Sequence, residues 1–208
     1  MNDDPRIEML VQDLRKVKPY HGRWPWLGTV LVFGIIFCAL FSRLVGWRHD
    51  LASALRDSVF MLELLLLSGL FGFGTVLVRR SSVPGPWPTQ KRDLLIVTLG
   101  FVLLGGLFGS HSAAPAHTPL AGWPCLVLIL ANSALPMLLS VLMLRAGAST
   151  QARLSLGLAA VTSLGLAIGF QHVICYDSSA SHLLMWHLAA LPFVLGLACL
   201  SGHRVLRW

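Results

Sequence analysis

Six long apolar blocks, joined by short polar connections, set what this chain can fold into. They cover residues 26–42, 59–78, 94–110, 123–144, 154–174 and 183–202. A helix rises about 1.5 Å per residue and a bilayer core is about 30 Å thick, so about 20 apolar residues cross it. Within lipid, each backbone polar group must find its partner inside its own segment, which makes the helix the default spanning form. Of the 208 residues, 55% are hydrophobic and only 12% charged, against about a quarter charged in a soluble domain. A soluble helical protein of this size is excluded, because too little polar surface remains to cover it. The expected fold class is all-α: a polytopic membrane bundle of six transmembrane helices, preceded by a short N-terminal cytoplasmic amphipathic helix.

The formal charge of +7 does not point to nucleic acid once its distribution is followed. With the N-terminus in the cytoplasm, the inner segments hold Arg6, Arg15, Lys16, Lys18 and Arg23, then Arg79, Arg80, Lys91 and Arg92. Arg145, Arg153, Arg204 and Arg207 complete that side. The outer segments hold Arg43, Arg48 and Arg56. Thirteen against three is a strong positive-inside bias, and it places both termini in the cytoplasm. The basic balance is a topology signal, and its expected partner is the anionic headgroups of the lipid bilayer. The charged first 22 residues lack the pattern of a cleavable signal peptide, so the first block is expected to be an uncleaved anchor.

The chain divides at residue 22. Residues 1–22 are too few to build a core, whereas residues 23–208 hold all six blocks. Asp4-Pro5 is a good helix start, with Asp as N-cap and Pro in the first turn. Ile7, Leu10, Val11, Leu14 and Val17 then fall on one face at helical spacing, and Pro19 ends the pattern. One amphipathic helix without a domain must place its apolar face on a membrane surface or in a partner's groove. Asp3, Asp4, Glu8 and Asp13 would repel an anionic surface and favour the groove.

Glu63 stands about one turn inside the second block, where it is expected to reach water or pair with Arg56. Glycines recur as Gly69, Gly72 and Gly74, as Gly105, Gly106 and Gly109, and as Gly157, Gly165 and Gly169. Small residues at such spacings let membrane helices approach closely. The loop after residue 79 contains Pro84-Gly85-Pro86, a rigid turn.

Cys125 and Cys175 lie fifty residues apart, each at the end of an apolar block. The walk from Cys125 to Leu144 covers about 30 Å, and the stretch 145–153 turns the chain for an equal return to Cys175. In adjacent antiparallel helices both thiols reach one height on the outer side, which suggests a redox or metal-responsive site. His49, His111, His117, His172, His182 and His187 belong to the same side. His182, His187 and His172 are the candidate metal ligands beside the thiols, for a soft or borderline ion. A disulfide is the other reading, provided the Cα atoms lie within about 7 Å. Cys38 and Cys199 fall inside blocks, where inert buried thiols are expected. No resident cofactor is expected; a transient thiophilic metal ion is the candidate ligand.

The chain resembles the NrsF-type anti-sigma factors, six-span bacterial inner-membrane regulators of extracytoplasmic-function sigma factors. The likeness rests on Leu10, Leu14 and Val17, on Arg48-His49-Asp50-Leu51, and on Pro84-Gly85. It continues through Cys125, Leu135-Pro136, Leu144-Arg145-Ala146-Gly147-Ala148, Cys175, His182, Trp186-His187 and Leu206-Arg207-Trp208. The resemblance implies that the N-terminal segment sequesters a sigma factor and that the paired cysteines take part in stress sensing. The expected function is a non-enzymatic signal transducer with no direct nucleic-acid contact. The rival class, a small multispan transporter or membrane enzyme, needs a polar pathway, and the blocks offer little beyond Asn132, Ser133, Thr162 and Glu63.

Overall fold

The structure is a computed structural model that describes residues 23–82, 90–111, 122–147, 149 and 151–206. The segment 1–22, with Ile7, Leu10, Val11, Leu14 and Val17, lies outside these residues, as do His117 and the loop 83–89. The helices are α1 (Arg23–Val45), α2 (Leu51–Ala54), α3 (Ser58–Ser81), α4 (Gln90–Gly109), α5 (Trp123–Ala146) and α6 (Ala152–Ile174). A short α7 (Ala180–His182) runs through a π-helical turn, Leu183–His187, into α8 (Ala190–Val205). No strand occurs among the described residues.

Five helical stretches are long and apolar enough to cross a membrane: those within α1, α3, α5 and α6, and Ala180–Val205. Of the six blocks, the third is the exception. It forms a shorter apolar helix, Leu95–Gly109, behind a first turn that carries Lys91, Arg92 and Asp93.

Local chemistry sets the helix ends. The Asp57 carboxylate accepts the Val59 N–H at 2.8 Å and caps α3. Pro124 occupies the first turn of α5, where no N–H is needed. Gly46 ends α1 with φ 99°, in the left-handed region, and its N–H donates to Ser42 O at 3.0 Å. Inside α5, Pro136 cannot donate to the carbonyl four residues back, that of Asn132. The Cys38 thiol of α1 points at that carbonyl, at 3.6 Å.

The centre of the bundle is α6. In its spanning stretch 83% of residues are buried, against 22–44% in the other four. Small residues permit this: Gly157, Ala159, Ala160, Ser163, Gly165 and Ala167 let neighbours close in. Gly74 of α3 packs against Thr162, whose side chain a Cβ would strike. Gly105, Gly157, Gly165 and Gly169 also meet neighbouring helices, whereas Gly69, Gly72, Gly106 and Gly109 meet nothing within 4 Å. The glycine rows are therefore only partly a packing feature. Hydroxyls within the spans turn back on their own helices: Ser42 to Cys38 O, Thr75 to Phe71 O and Ser163 to Ala159 O, at 2.7–2.8 Å. Leu44, Leu65, Val102 and Leu200 stay exposed on the outside of the bundle, as lipid-facing side chains do.

Contacts between helix ends give the directions. The Arg48 N–H donates to Val173 O, so the end of α1 meets the end of α6. Glu63, near the start of α3, bonds His111 after α4 and His172 near the end of α6. Cys125, in the first turn of α5, joins Cys175 after α6. At the opposite end, Gly147 lies against the backbone of Ser82, Arg145 Nε donates to Val205 O at 2.8 Å, and the Ser149 and Ser155 hydroxyls pair at 2.6 Å. Successive long helices thus alternate in direction.

Candidate functional site

Cys125 and Cys175 meet at the end of the bundle that also holds Glu63. Their sulfurs are 3.7 Å apart, and both are half-buried free thiols. Cys175 caps the C-terminus of α6, and its N–H donates to Gln171 O at 2.8 Å. The hydrogen bond shared with Cys125, followed by burial, pushes the Cys175 thiol above its ordinary range, and the bond to His182 opposes both. Both effects set Cys175 apart from the exposed low-pKa thiolates that oxidants attack fastest.

Two histidines complete the cluster. His182 Nε2 lies 3.3 Å from Cys175 Sγ, and its Nδ1 lies 3.4 Å from the Asp177 carboxylate. The His187 ring packs 5.4 Å from that of His182 and is wholly buried. Neither of its ring nitrogens has a hydrogen-bond partner. One ligating atom from each of Cys125, Cys175, His182 and His187 falls within 4.8 Å of all the others.

The π-helical turn explains how both histidines arrive. At about 100° per residue in an α-helix, side chains five apart diverge by about 140°. Here Leu188 N–H donates to Leu183 O, five residues back, at 3.2 Å, and that wider turn brings positions five apart onto one face. Such turns are rare and occur often at functional sites. Gly122, just before α5, seats the turn: the Trp186 indole lies where a Cβ would be. The bare backbone there lets the start of α5, and Cys125 with it, approach the histidines.

His172 is not in this cluster. Its Nε2 lies 2.8 Å from Glu63 Oε2, while His111 Nε2 lies 2.8 Å from Glu63 Oε1. This corrects the expectation for Glu63. It reaches neither water nor Arg56: it is 0% exposed, because α4 and α6 each bring an imidazole over it. His172 also stacks on Phe60, ring centroids 4.6 Å apart, and meets His187 edge to face at 6.3 Å. Of the other histidines expected at this end, His49 packs beside Tyr176.

Three further residues support the site. Arg48 pairs with Asp50 through two hydrogen bonds of 2.6 and 2.7 Å, covers the face of Phe60, and ties its loop to the end of α6. Gln171 is buried one turn before the end of α6, and its carbonyl accepts the Cys175 N–H. Asp177, which orients His182, had one sequence signal, its place between Cys175 and His182. Cys38 and Cys199 take no part: Cys38 is buried against α5, and Cys199 packs beside Gly157.

The profile of the NrsF family, negative regulator of sigma F, matches residues 10–208. The chain belongs to this family. No curated protein and no solved structure matches it. The matched region takes in Leu10, Val11, Leu14 and Val17 as well as both clustered cysteines. An NrsF protein is a negative regulator of a sigma factor, so its partner is a sigma factor. The long apolar helices of this NrsF chain fit a membrane protein.

Proposed function

We propose that this NrsF protein is an anti-sigma factor of the bacterial inner membrane. Residues 1–22 sequester an extracytoplasmic-function sigma factor on the cytoplasmic side. Periplasmic metal or oxidative stress alters Cys125 and Cys175, and the sigma factor is released. The observation that carries this reading is the 3.7 Å approach of the two thiols, at the end of the bundle opposite Arg145 and Val205.

The topology follows from three supports. Successive helices alternate in direction, and the basic side chains gather at one end. α4, with 20 residues, is about 30 Å long and serves as a sixth span despite its charged first turn. Six spans put both termini in the cytoplasm. Signal transfer requires the stimulus to favour one arrangement of the bundle over another. α6 is suited to carry it, since it ends at Cys175 and packs along α3, α5 and α8.

Co-purification tests the partner. The full chain, recovered from the native cell, brings down a sigma factor, and Leu10→Asp with Leu14→Asp abolishes this while insertion persists. Each new carboxylate would have to be desolvated in an apolar groove. Unchanged capture by the inserted double variant would move the contact away from residues 1–22.

A further inference from the structure

We propose that Cys125, Cys175, His182 and His187 form a closed four-ligand site for one thiophilic divalent cation of the zinc or cadmium class. The proposal deepens the sensory reading above, and rests on it only for what the binding is used for.

The spacing of the donor atoms suits such an ion. Tetrahedral zinc, with bonds of about 2.3 Å to sulfur and 2.0–2.1 Å to nitrogen, sets sulfurs about 3.8 Å apart and sulfur about 3.5 Å from nitrogen. The sulfurs of Cys125 and Cys175 are 3.7 Å apart, and Cys175 Sγ is 3.3 Å from His182 Nε2. Two thiolates and two imidazoles in this arrangement select zinc-like ions over magnesium or calcium, which take oxygen ligands.

Two independent features point to a ligand. His187 is fully buried with neither ring nitrogen hydrogen-bonded, although buried polar atoms are nearly always satisfied; a metal bond would satisfy one of them. His182 carries the outer partner expected of a metal-bound imidazole: the Asp177 carboxylate lies 3.4 Å from Nδ1 while Nε2 faces Cys175 Sγ. The π-helical turn then has a purpose, since it is what brings both rings to the thiols. Cys125 and Cys175 are only partly buried, which leaves the sulfurs within reach of an incoming ion. On binding, each thiol gives its proton to solvent and the ion takes the resulting thiolate.

The test uses the full chain, reduced, in detergent micelles, titrated with Co²⁺ as a spectroscopic probe. The expected result is one Co²⁺ per chain, with intense tetrahedral ligand-field bands and a thiolate-to-cobalt charge-transfer band. Both are bleached by Zn²⁺ or Cd²⁺. Cys125→Ser and Cys175→Ser each remove about half of the charge-transfer intensity, and His187→Ala removes the tetrahedral bands. Because His187 is wholly buried, Asp177→Asn is read beside it: the spectrum is kept and binding weakens about 10- to 100-fold. A weak octahedral spectrum, or a wild-type spectrum in both His182→Ala and His187→Ala, would overturn the site. Sigma capture is scored separately by co-purification without added metal, so failure of one reading does not imitate failure of the other.

Discussion

Glu63 Oε2 and His172 Nε2 lie 2.8 Å apart, joining α3 to α6 where the carboxylate has no access to solvent. His111 closes the other oxygen, so one side chain ties three helices together beside the thiol cluster. Removing the carboxylate leaves a buried imidazole without its hydrogen-bond partner, at a cost of about 1–3 kcal/mol. Glu63→Ala is therefore expected to lower the melting temperature in detergent sharply, and Glu63→Gln by less, since an amide oxygen still accepts one imidazole N–H. Equal melting of Glu63→Ala and wild type would mean that the cluster carries no stability.

Arg48 and Asp50 make the loop after α1 acid-sensitive. Their hydrogen bonds lower the Asp50 pKa from 3.8 to about 2. A carboxylate with a depressed folded-state value contributes stability that is fully present above 3.8. That contribution is lost as the pH falls through about 2. Asp50→Asn should thus be less stable than wild type at neutral pH, with the gap closing as pH approaches 2. Melting curves across pH read this directly; a gap independent of pH would assign the effect to something other than the ion pair.

Cys38 has a structural use apart from any sensor. Its S–H faces the Asn132 carbonyl that Pro136 leaves open. Cys38→Ser keeps a donor and is expected to be nearly silent in stability and signalling. Cys38→Val strands the carbonyl and is expected to lose about 1 kcal/mol. Thermal unfolding of the pair separates the donor's contribution from simple volume, and equal losses would reject it.

The proposed topology rests on the charge asymmetry and the alternating helices. A reporter fused after Trp208 is expected to read cytoplasmic, and one within residues 113–119 to read periplasmic. A C-terminus found outside would remove the sixth span and with it the outer placement of both cysteines.

Much of the bundle was legible because lipid imposes a length. The apolar blocks at 59–78, 123–144 and 154–174 became α3, α5 and α6 with shifts of only a few residues at their ends. The levelling of Cys125 and Cys175 came from the same arithmetic, since two antiparallel helices of equal length return to one height. The Glu63 cluster was not legible, because its partners lie 48 and 109 residues away and only tertiary packing brings them in. His172 turns to Glu63 for the same reason: the face it presents is set by how α6 meets α3. His182 and His187 carried a faint signal in their spacing of five, which suits a π-helical turn and not an α-helix.

Transcription from a sigma-dependent promoter, with Cys125→Ser, Cys175→Ser and the double variant, tests the central claim most directly. Each strain carries an inserted protein and is read with and without a thiophilic metal or an oxidant. On the proposed reading the thiols act as a unit, so each single change is expected to alter the induced response alike, with little added by the double. A normal induced response in the double variant would contradict the account and leave Cys125 and Cys175 as structural residues.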